Sequence, residues 1–277
     1  MHPFTARRIR TTAPMAAKQH RFILSFDFDG TMINPAASPV YHPGLGNMIQ
    51  ALRAQGAAWI VNTGRSLGQT LEGLAQHGIF MEPDFIIAQE CNIYKPGFFS
   101  RWKDFGSWNR DALRAQERFV RDHKASLDAI KQFVETQTRA SFLNHGDSEL
   151  GIVGTNDPEM DAICAYIDSH AAQFPDIGYH RNSIYLRFSH SGYSKGTALS
   201  ELARLLGLTS AHCFAAGDNY NDLSMLDQRH ARMIACPGNA LEPVKQIVHA
   251  RGGFVATLPA SEGMMEALTH YFGGAPA

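Results

Sequence analysis

The sequence predicts an α/β fold in which a parallel sheet covered by helices is interrupted by an inserted α+β domain. Short apolar runs alternate with segments of helical spacing in residues 21–91, and the same alternation returns in residues 191–273. This alternation is typical of β-α-β units, whose strands lie parallel beneath the connecting helices. Residues 92–190 begin with a polar, loop-like stretch and a long amphipathic helix, so we expect them to form a separate domain.

In the first segment we expect five elements that alternate between strand and helix. Uncharged apolar runs predict the strands, and apolar residues three or four positions apart predict the helices. A glycine follows the end of each helix. The expected order is a strand at 22–26, a helix between 43 and 56, a strand at 58–61, a helix at 67–76 and a strand at 85–88.

After its loop-like stretch, the inserted domain is expected to contain one long helix, because Leu113, Val120, Leu127 and Val134 share a stripe. The stripe could serve a partner helix, but packing on the domain's own sheet explains it more simply. The remaining expected elements are strands near 140–143 and 184–188 with a helix between them, then a helix at 196–206, a strand at 213–216, a helix after Asn221, and strands near 233–235 and 254–256.

Composition and charge argue against several classes of protein. With 277 residues, 44% of them apolar and 18% charged, the chain can fill a core, and its formal net charge of −1 gives no general attraction to nucleic acid or to an anionic membrane. The four cysteines show no CxxC pair or zinc-ligand spacing, which indicates reduced thiols in a cytoplasmic protein. No apolar run approaches the roughly 18 residues that a membrane helix needs. Monomer and homodimer both remain open.

Residues 1–20 form a basic segment without an acidic residue. We interpret it as a flexible tail rather than a targeting peptide, because no apolar stretch follows its arginine pair. An upstream start, with Met15 as the true first residue, is the alternative.

Two aspartates follow the first predicted strand. Asp27 and Asp29 are two residues apart, so in an extended chain their side chains share a face. They lie at the carboxyl end of the strand, where ligands bind in open α/β sheets. Acidic residues often cap turns, so the pair becomes informative only together with polar groups at neighbouring strand ends.

Two further segments offer groups that bind anions. Residues 62–66 join the second strand to its helix, which places the Thr63 hydroxyl and free backbone N–H groups where an anion would be held. Lys195 lies at the beginning of a predicted helix, where an ammonium can bind phosphate or reduce repulsion between carboxylates. Each feature alone also occurs as an ordinary turn or a solvated helix start.

A third segment adds oxygen ligands. Asp218, Asn221 and Asp222 follow a predicted buried strand. Together with the first aspartate pair they form a set of hard oxygen donors suited to octahedral Mg²⁺ that keeps several waters. Carboxylates around one point repel each other without a cation, and Mg²⁺ and Lys195 together would supply the positive charge.

These segments resemble the haloacid dehalogenase superfamily in their order and placing. The matching residues are Asp27-Phe-Asp-Gly-Thr31, Thr63, Lys195 and Gly217-Asp218 to Asp222. The chain is also similar to the branch that includes Cof-type and sucrose-phosphate phosphatases, through Thr63-Gly64-Arg65, Ser194-Lys195-Gly-Thr-Ala-Leu199 and Gly238-Asn239-Ala240.

The resemblance implies a division of the chain into two domains. Residues 21–91 and 191–273 would form a Rossmann-like core, and residues 92–190 would form an inserted type-2 (C2B) cap that sets substrate specificity. One departure from the pattern is Gln89-Glu90-Cys91 at the entry to the cap, where relatives usually have a glycine-containing turn.

The resemblance also implies chemical roles. Asp27 would attack phosphorus and form an aspartyl-phosphate, and Asp29 would protonate the leaving oxygen and later deprotonate water. Thr63, the Gly64 N–H and Lys195 would stabilise charge on the phosphoryl oxygens. The resemblance further assigns Gly30, Thr31 and Arg65 to phosphate or substrate, and assigns Mg²⁺ to the Asp27 carboxylate, the Asp29 backbone carbonyl and Asp218, with Asp222 and Asn221 ligating it or orienting its waters.

Two arginines in the cap are candidates for contact with the substrate. Alternation along the later cap strand leaves Tyr185 and Arg187 on the face opposite Leu186. The earlier strand could present Arg139 and, beyond it, Ser141 and His145. We expect some of these side chains to touch the hydroxyls or a second anion of a small sugar phosphate, with solvent exposure as the alternative for each.

The function indicated is a Mg²⁺-dependent phosphatase that acts on a small phosphorylated metabolite, with a sugar phosphate as the expected substrate. A phosphomutase of the same superfamily is the nearest alternative, and it would need a bisphosphate activator. A sugar-phosphate-binding regulator without turnover is the alternative from another class.

Overall fold

The computed structural model describes residues 20–97, 101–144, 150–171 and 177–273. None of the helices in these ranges has the length and the apolar run that crossing a bilayer requires. The strands are β1 Phe22–Phe26, β2 Ala57–Asn62, β3 Phe85–Ala88, β4 Asn92–Pro96, β5 Trp102–Asp104, β6 Ser141–Asn144, β7 Leu150–Val153, β8 Ile177–Asn182, β9 Tyr185–His190, β10 Cys213–Ala216, β11 Met233–Cys236 and β12 Phe254–Val255. The helices are α1 Pro43–Ala54, α2 Leu67–Gln76, α3 Trp108–Asp122, α4 Lys124–Gln137, α5 Asp157–Ala171, α6 Lys195–Leu205, α7 Glu242–Ala250 and α8 Ala260–Phe272.

The larger sheet has eight strands in the order β12-β11-β10-β1-β2-β3-β4-β5. The strands from β12 to β3 pair in parallel, and β4 and β5 extend the sheet in antiparallel fashion. Phe26 at the end of β1 is level with Val61 of β2 and with Ala216 of β10. The residues that follow these three strands therefore meet at one edge of the sheet.

The central strands are buried because their side chains are apolar on both faces. All six residues of β2 are buried, and Trp59 is completely enclosed. Side chains of α1, α2 and α8 cover one face of the sheet, and side chains of α6 and α7 cover the other. This two-sided burial is what parallel sheets require.

The smaller sheet has four antiparallel strands in the order β6-β7-β9-β8. Apolar side chains of α3, α4 and α5, among them Phe119, Ile130 and Ile163, pack with Ile152 and Phe188 of the strands. The predicted α/β fold, with a largely parallel core sheet and an inserted α+β cap, is confirmed.

The single long helix predicted through Leu113 and Val134 is wrong, because α3 and α4 meet at His123. His123 has φ −108° and ψ 19°, which are not helical values. Its backbone N–H and its ring Nδ1 both lie 3.0 Å from the Phe119 carbonyl oxygen, so the side chain competes for the helical hydrogen bond. Phe119, which the stripe did not include, is buried, whereas Leu113 on the predicted stripe is 54% exposed.

Other local predictions also differ from the structure. The helix predicted after Asn221 is a single 3-10 turn at Tyr220–Asp222, because Asp222 Oδ2 accepts the backbone N–H groups of Asp218 and Asn219 at 2.9 Å and closes a tight loop. The cap sheet also contains β7 and β8, two strands beyond those predicted. β4 and β5 lie after the proposed domain boundary at residue 92, yet they are hydrogen-bonded to the core sheet through β3.

Candidate active site

Three neighbouring strand ends bring the predicted polar residues together. Asp27 follows β1 and donates its N–H to the Ala216 carbonyl at 2.9 Å, which holds it level with the end of β10. Thr63 follows β2 and donates its N–H to the Ile87 carbonyl at 2.8 Å. Asp218 comes shortly after β10, and all three residues line one cavity.

Lys195 is fully buried between two carboxylates. Its Nζ lies 2.6 Å from Asp27 Oδ1 and 2.6 Å from Asp222 Oδ1. Ser194 caps α6 by accepting the Thr197 N–H, which makes Lys195 the first helical residue. Burial lowers the pKa of Lys195, but the two carboxylates outweigh burial and raise that pKa well above its ordinary value. Lys195 is therefore a fixed positive charge beside Asp27.

Asp27, Asp218 and Asp222 form a cluster in which each offers a carboxylate oxygen within 4.8 Å of the others. Burial raises the pKa of all three carboxyl groups, and the Lys195 ammonium opposes the rise. The pKa of Asp218 reaches about 7, although its carboxylate accepts the Thr31 hydroxyl at 2.8 Å. One ammonium does not balance three carboxylates, so the cluster has the charge and the hard oxygen atoms to hold a divalent cation such as Mg²⁺.

Asn221 supplies a second observation that fits a bound cation. The residue is 8% exposed, and within the described ranges its Oδ1 has no hydrogen-bond partner. A buried oxygen of this kind is normally satisfied by a donor or by a cation. The predicted role of Asn221, to ligate Mg²⁺ or to orient its waters, therefore fits its surroundings.

The Asp29 carboxylate lies apart from the cluster, in a bidentate ion pair with Arg65. Arg65 Nε is 2.6 Å from Oδ2 and Arg65 Nη2 is 2.6 Å from Oδ1, while the guanidinium carbon lies 4.9 Å from the centre of the Phe28 ring. The ion pair is at the edge of the cavity, where the Asp29 side chain is 41% exposed. For Asp29 to exchange a proton with a bound ester, this ion pair has to open.

The loop after β2 forms the floor of the cavity beside Asp27. Thr63 is buried, and its hydroxyl oxygen accepts the Arg65 N–H at 3.2 Å. Gly64 is in close contact with Glu90, because a β carbon at position 64 would lie 2.4 Å from Glu90 Oε1. A larger residue at position 64 would displace the Glu90 carboxylate, and with glycine there the backbone is exposed to the cavity. Gly30 also lines the cavity, whereas Thr31 is fully buried and does not line it.

The cavity has a volume of about 610 Å³ and lies between the core and the cap. This volume is in the range of sites that bind small molecules. The core supplies a charged floor, and the cap supplies a mixed roof of apolar and polar side chains. The roof includes Leu143, Gly151, Tyr185, Leu186 and Arg187.

The two cap arginines singled out in the sequence have different positions. Arg187 lines the cavity, and its guanidinium makes no hydrogen bond or ion pair with the described residues. Arg139 is exposed and does not line the cavity, and its backbone N–H donates to Glu159 Oε1 at 2.7 Å. The structure therefore does not bring Arg139 to the site. Ser141 is also exposed, and His145 lies outside the described residues.

Some cavity residues were not predicted as site residues. Arg181 forms ion pairs with Asp157 and Asp161 inside the cap, and its guanidinium carbon lies 4.8 Å from the centre of the Tyr220 ring. The ion pairs join the end of β8 to α5, and the contact with Tyr220 joins it to the loop that carries Asp218 and Asp222. Only a predicted hairpin between β8 and β9 would have revealed these contacts. The unpredicted polar residues of the cavity are Glu90, His180, Arg181, Asn182 and Asn219. Asn182 Oδ1 accepts from Asn219 Nδ2 at 3.1 Å.

Comparison with known protein families matches residues 114–265, more than half of the chain, to the haloacid dehalogenase-like hydrolases. The chain is also 38% identical over 189 residues to a phosphoglycolate phosphatase of Methanoculleus marisnigri, a match that covers 68% of this chain and 71% of that protein. The chain belongs to the haloacid dehalogenase-like hydrolases. The prediction of an enzyme of this type is therefore confirmed.

Solved structures share the fold of this hydrolase. The sucrose-phosphatase of Synechocystis sp. PCC6803 has a TM-score of 0.68 at 16% identity, with 91% of this chain and 98% of that chain covered. A sugar phosphatase of subclass IIB has a TM-score of 0.61 at 18% identity, with 91% and 99% covered. These similarities concern the fold alone, and they agree with the observed core sheet and inserted cap.

We expect Mg²⁺ to raise the melting temperature of this hydrolase, and to raise it more at about pH 8 than at about pH 5. The pKa of Asp218 is raised from 3.8 to about 7 in the folded protein. In the absence of metal, stability should therefore fall as the pH rises from about 4 to about 7, because the unfolded chain gives up this proton first. Mg²⁺ binds the ionised carboxylates, so it stabilises most where protons no longer compete.

Thermal unfolding with either EDTA or Mg²⁺ at the two pH values measures this effect. The Asp218→Asn variant is the control, and we expect it to have a flatter pH dependence and a smaller response to Mg²⁺. A melting temperature that Mg²⁺ leaves unchanged at both pH values would contradict the expected cation site.

Proposed function

We propose that this hydrolase is a Mg²⁺-dependent phosphatase that acts on a small sugar phosphate through an aspartyl-phosphate on Asp27. The observation that carries the proposal is the buried group of Asp27, Lys195, Asp218 and Asp222 at the floor of the cavity. A carboxylate nucleophile, a fixed ammonium and a cation site at one point suit phosphoryl transfer. The names of the relatives, phosphoglycolate phosphatase, sucrose-phosphatase and sugar phosphatase, support the same chemistry.

The reaction would proceed in two displacements at phosphorus. In the first, an Asp27 oxygen bonds to phosphorus, the bond to the ester oxygen breaks, and Asp29 gives that oxygen a proton. In the second, Asp29 takes a proton from a water whose oxygen attacks phosphorus, and the bond to Asp27 breaks to release phosphate. Lys195 holds positive charge beside Asp27, and Thr63 and Gly64 border the phosphoryl group. Bound Mg²⁺ would neutralise charge on the carboxylates and the phosphoryl oxygens.

The size and lining of the cavity support a sugar phosphate rather than a smaller ester. A two-carbon acid phosphate would fill only a small part of the cavity of about 610 Å³. Arg187 on the roof can donate hydrogen bonds to the hydroxyl groups or to a second anion of a larger substrate. Tyr185, 58% exposed, adds a ring that can lie against a sugar face.

Release of inorganic phosphate from a substrate panel, with Mg²⁺ or with EDTA, tests the proposal. The panel contains sugar phosphates, phosphoglycolate, nucleotides and pyridoxal phosphate. We expect Mg²⁺-dependent release, with the highest kcat/KM on a sugar phosphate. Transfer of phosphate between positions of a sugar without release would instead support a phosphomutase, and binding without either reaction would support a non-catalytic regulator.

We expect Arg187→Ala to lower kcat/KM on the best sugar phosphate by about tenfold or more, because a charge-assisted hydrogen bond to the substrate is lost. Arg139→Ala is the matched control, since Arg139 is exposed and does not line the cavity. Initial rates of phosphate release measure both variants. Equal effects of the two substitutions would contradict the role proposed for Arg187.

A further inference from the structure

Gln89 and Glu90 form a left-handed turn at the end of β3. Their φ angles are 49° and 71°, a region that glycine adopts freely and other residues rarely adopt. The turn is held against the loop Thr63–Arg65, because the Gln89 N–H donates to the Arg65 carbonyl at 2.8 Å and the Glu90 N–H donates to the Thr63 carbonyl at 3.1 Å. Strained backbone of this kind clusters at active sites and ligand clamps.

The side chain presented by this turn is a carboxylate with one unsatisfied oxygen. Glu90 is 7% exposed and lines the cavity. Its Oε1 accepts from Asn221 Nδ2 at 3.0 Å, whereas its Oε2 is buried without a hydrogen-bond partner among the described residues. The cations of the floor are already paired, Arg65 with Asp29 and Lys195 with Asp27 and Asp222. A buried carboxylate oxygen without a hydrogen bond costs free energy, and a donor group of a bound ligand would remove this cost.

The position of Glu90 limits which part of a ligand can supply this donor. Glu90 Oε1 lies directly against Gly64, which borders the place proposed for the phosphoryl group. A substrate group that reaches Glu90 is therefore attached close to the ester oxygen.

Arg187 on the roof limits the chemistry of the same ligand, because it offers donors that the described residues leave unused. A carboxylate only accepts hydrogen bonds and an ammonium only donates them, but a hydroxyl group does both. A hydroxyl group is therefore the one kind of substituent that can donate to Glu90 and can also accept from Arg187.

We infer that Glu90 is a specificity residue that accepts a hydrogen bond from a substrate hydroxyl on the carbon next to the phosphorylated carbon. The inference rests on the proposed phosphatase function and narrows its substrate class to polyol and sugar monophosphates that carry this neighbouring hydroxyl. Phosphoglycolate is disfavoured, because the carbon next to its phosphorylated carbon is a carboxylate, which the Glu90 carboxylate repels. The substrate preference therefore differs from the one named for the relative in Methanoculleus marisnigri.

Two pairs of esters that differ only in this hydroxyl test the inference. They are glycerol 1-phosphate with propane-1,3-diol monophosphate, and glucose 1-phosphate with 2-deoxyglucose 1-phosphate. We expect the wild-type enzyme to favour the hydroxylated member of at least one pair by about 30-fold or more in kcat/KM, because a site built around a hydroxyl rejects the analogue that lacks it. In Glu90→Gln, which places a donor amide where an acceptor stood, we expect this ratio to fall below about 3.

The ratio separates substrate recognition from a structural role. Glu82→Gln is the matched control, since Glu82 is exposed, and it should keep the wild-type ratio. Glu90→Gly, which also removes the strained side chain, should lose the preference as Glu90→Gln does. If the Glu90 variants lower kcat/KM for both members of a pair equally, or if the wild-type enzyme prefers phosphoglycolate, the inference is overturned. Absence of phosphate release from every ester by the wild-type enzyme would instead overturn the proposed function.

Discussion

Replacing Asp27 with Asn is expected to lower phosphate release by at least about 10³-fold on every substrate, because the amide cannot form the aspartyl-phosphate. The change is nearly isosteric, and it removes one of three carboxylates that lie within 4.8 Å of each other. Burial and its neighbours Asp222 and Asp218 already raise the pKa of Asp27, so neutralising it relieves repulsion in the folded protein. The variant should therefore fold.

Initial rates and thermal unfolding together measure this effect. Asp128→Asn is the matched control, since Asp128 is 61% exposed in a surface ion pair with Lys124, and its activity should be unchanged. A folded Asp27→Asn enzyme that retained a tenth of the wild-type rate would show that another group attacks phosphorus.

Replacing Lys195 with Met should destabilise the protein by about 3–5 kcal/mol near pH 8 and also abolish phosphate release. Lys195 is fully buried, and its removal leaves Asp27 and Asp222 without the cation that both contact at 2.6 Å. Burial raises the pKa of both carboxyl groups. In the variant, their protonation at low pH removes the unpaired negative charge and restores part of the lost stability. We therefore expect the destabilisation to be smaller at about pH 5 than at about pH 8.

Urea denaturation in EDTA, at both pH values, measures the free energy of unfolding. Lys124→Met is the control, because Lys124 is 76% exposed in a surface ion pair with Asp128, and its loss should cost less than about 1 kcal/mol. An equal decrease in the free energy of unfolding for Lys195→Met and Lys124→Met would contradict the view that the Lys195 charge stabilises the buried carboxylates.

The core of the site was predictable because local patterns determine it. An apolar strand followed by two aspartates predicts where Asp27 lies, since parallel strands end at one edge of the sheet. The helix start at Lys195 was also evident in the sequence. Its complete burial was not, because that depends on distant contacts such as the hydrogen bond from Asn62 Nδ2 to the Lys195 carbonyl.

The roof of the site was less predictable. Arg187 of β9 lines the cavity, but so does its neighbour Leu186, so alternation along the strand does not decide which side chains form the roof. Arg139 precedes β6 and is exposed outside the cavity, and its backbone N–H donates to Glu159. The contribution of Glu90 depends on a positive φ, which a sequence signals clearly only when the residue is glycine. The break at His123 likewise arises from one ring contact with the Phe119 carbonyl, which hydrophobic periodicity does not record.

The central claim is that Asp27 carries the phosphoryl group, and trapping that group tests it most directly. The enzyme is quenched with acid during turnover of its best substrate in Mg²⁺, then reduced with borohydride, which converts an aspartyl-phosphate to homoserine. Tandem mass spectrometry of the peptide that contains residues 22–31 locates the modified position. We predict homoserine at position 27 only, and only in samples that received substrate. Homoserine at position 29, or at neither position while phosphate is being released, would contradict the account.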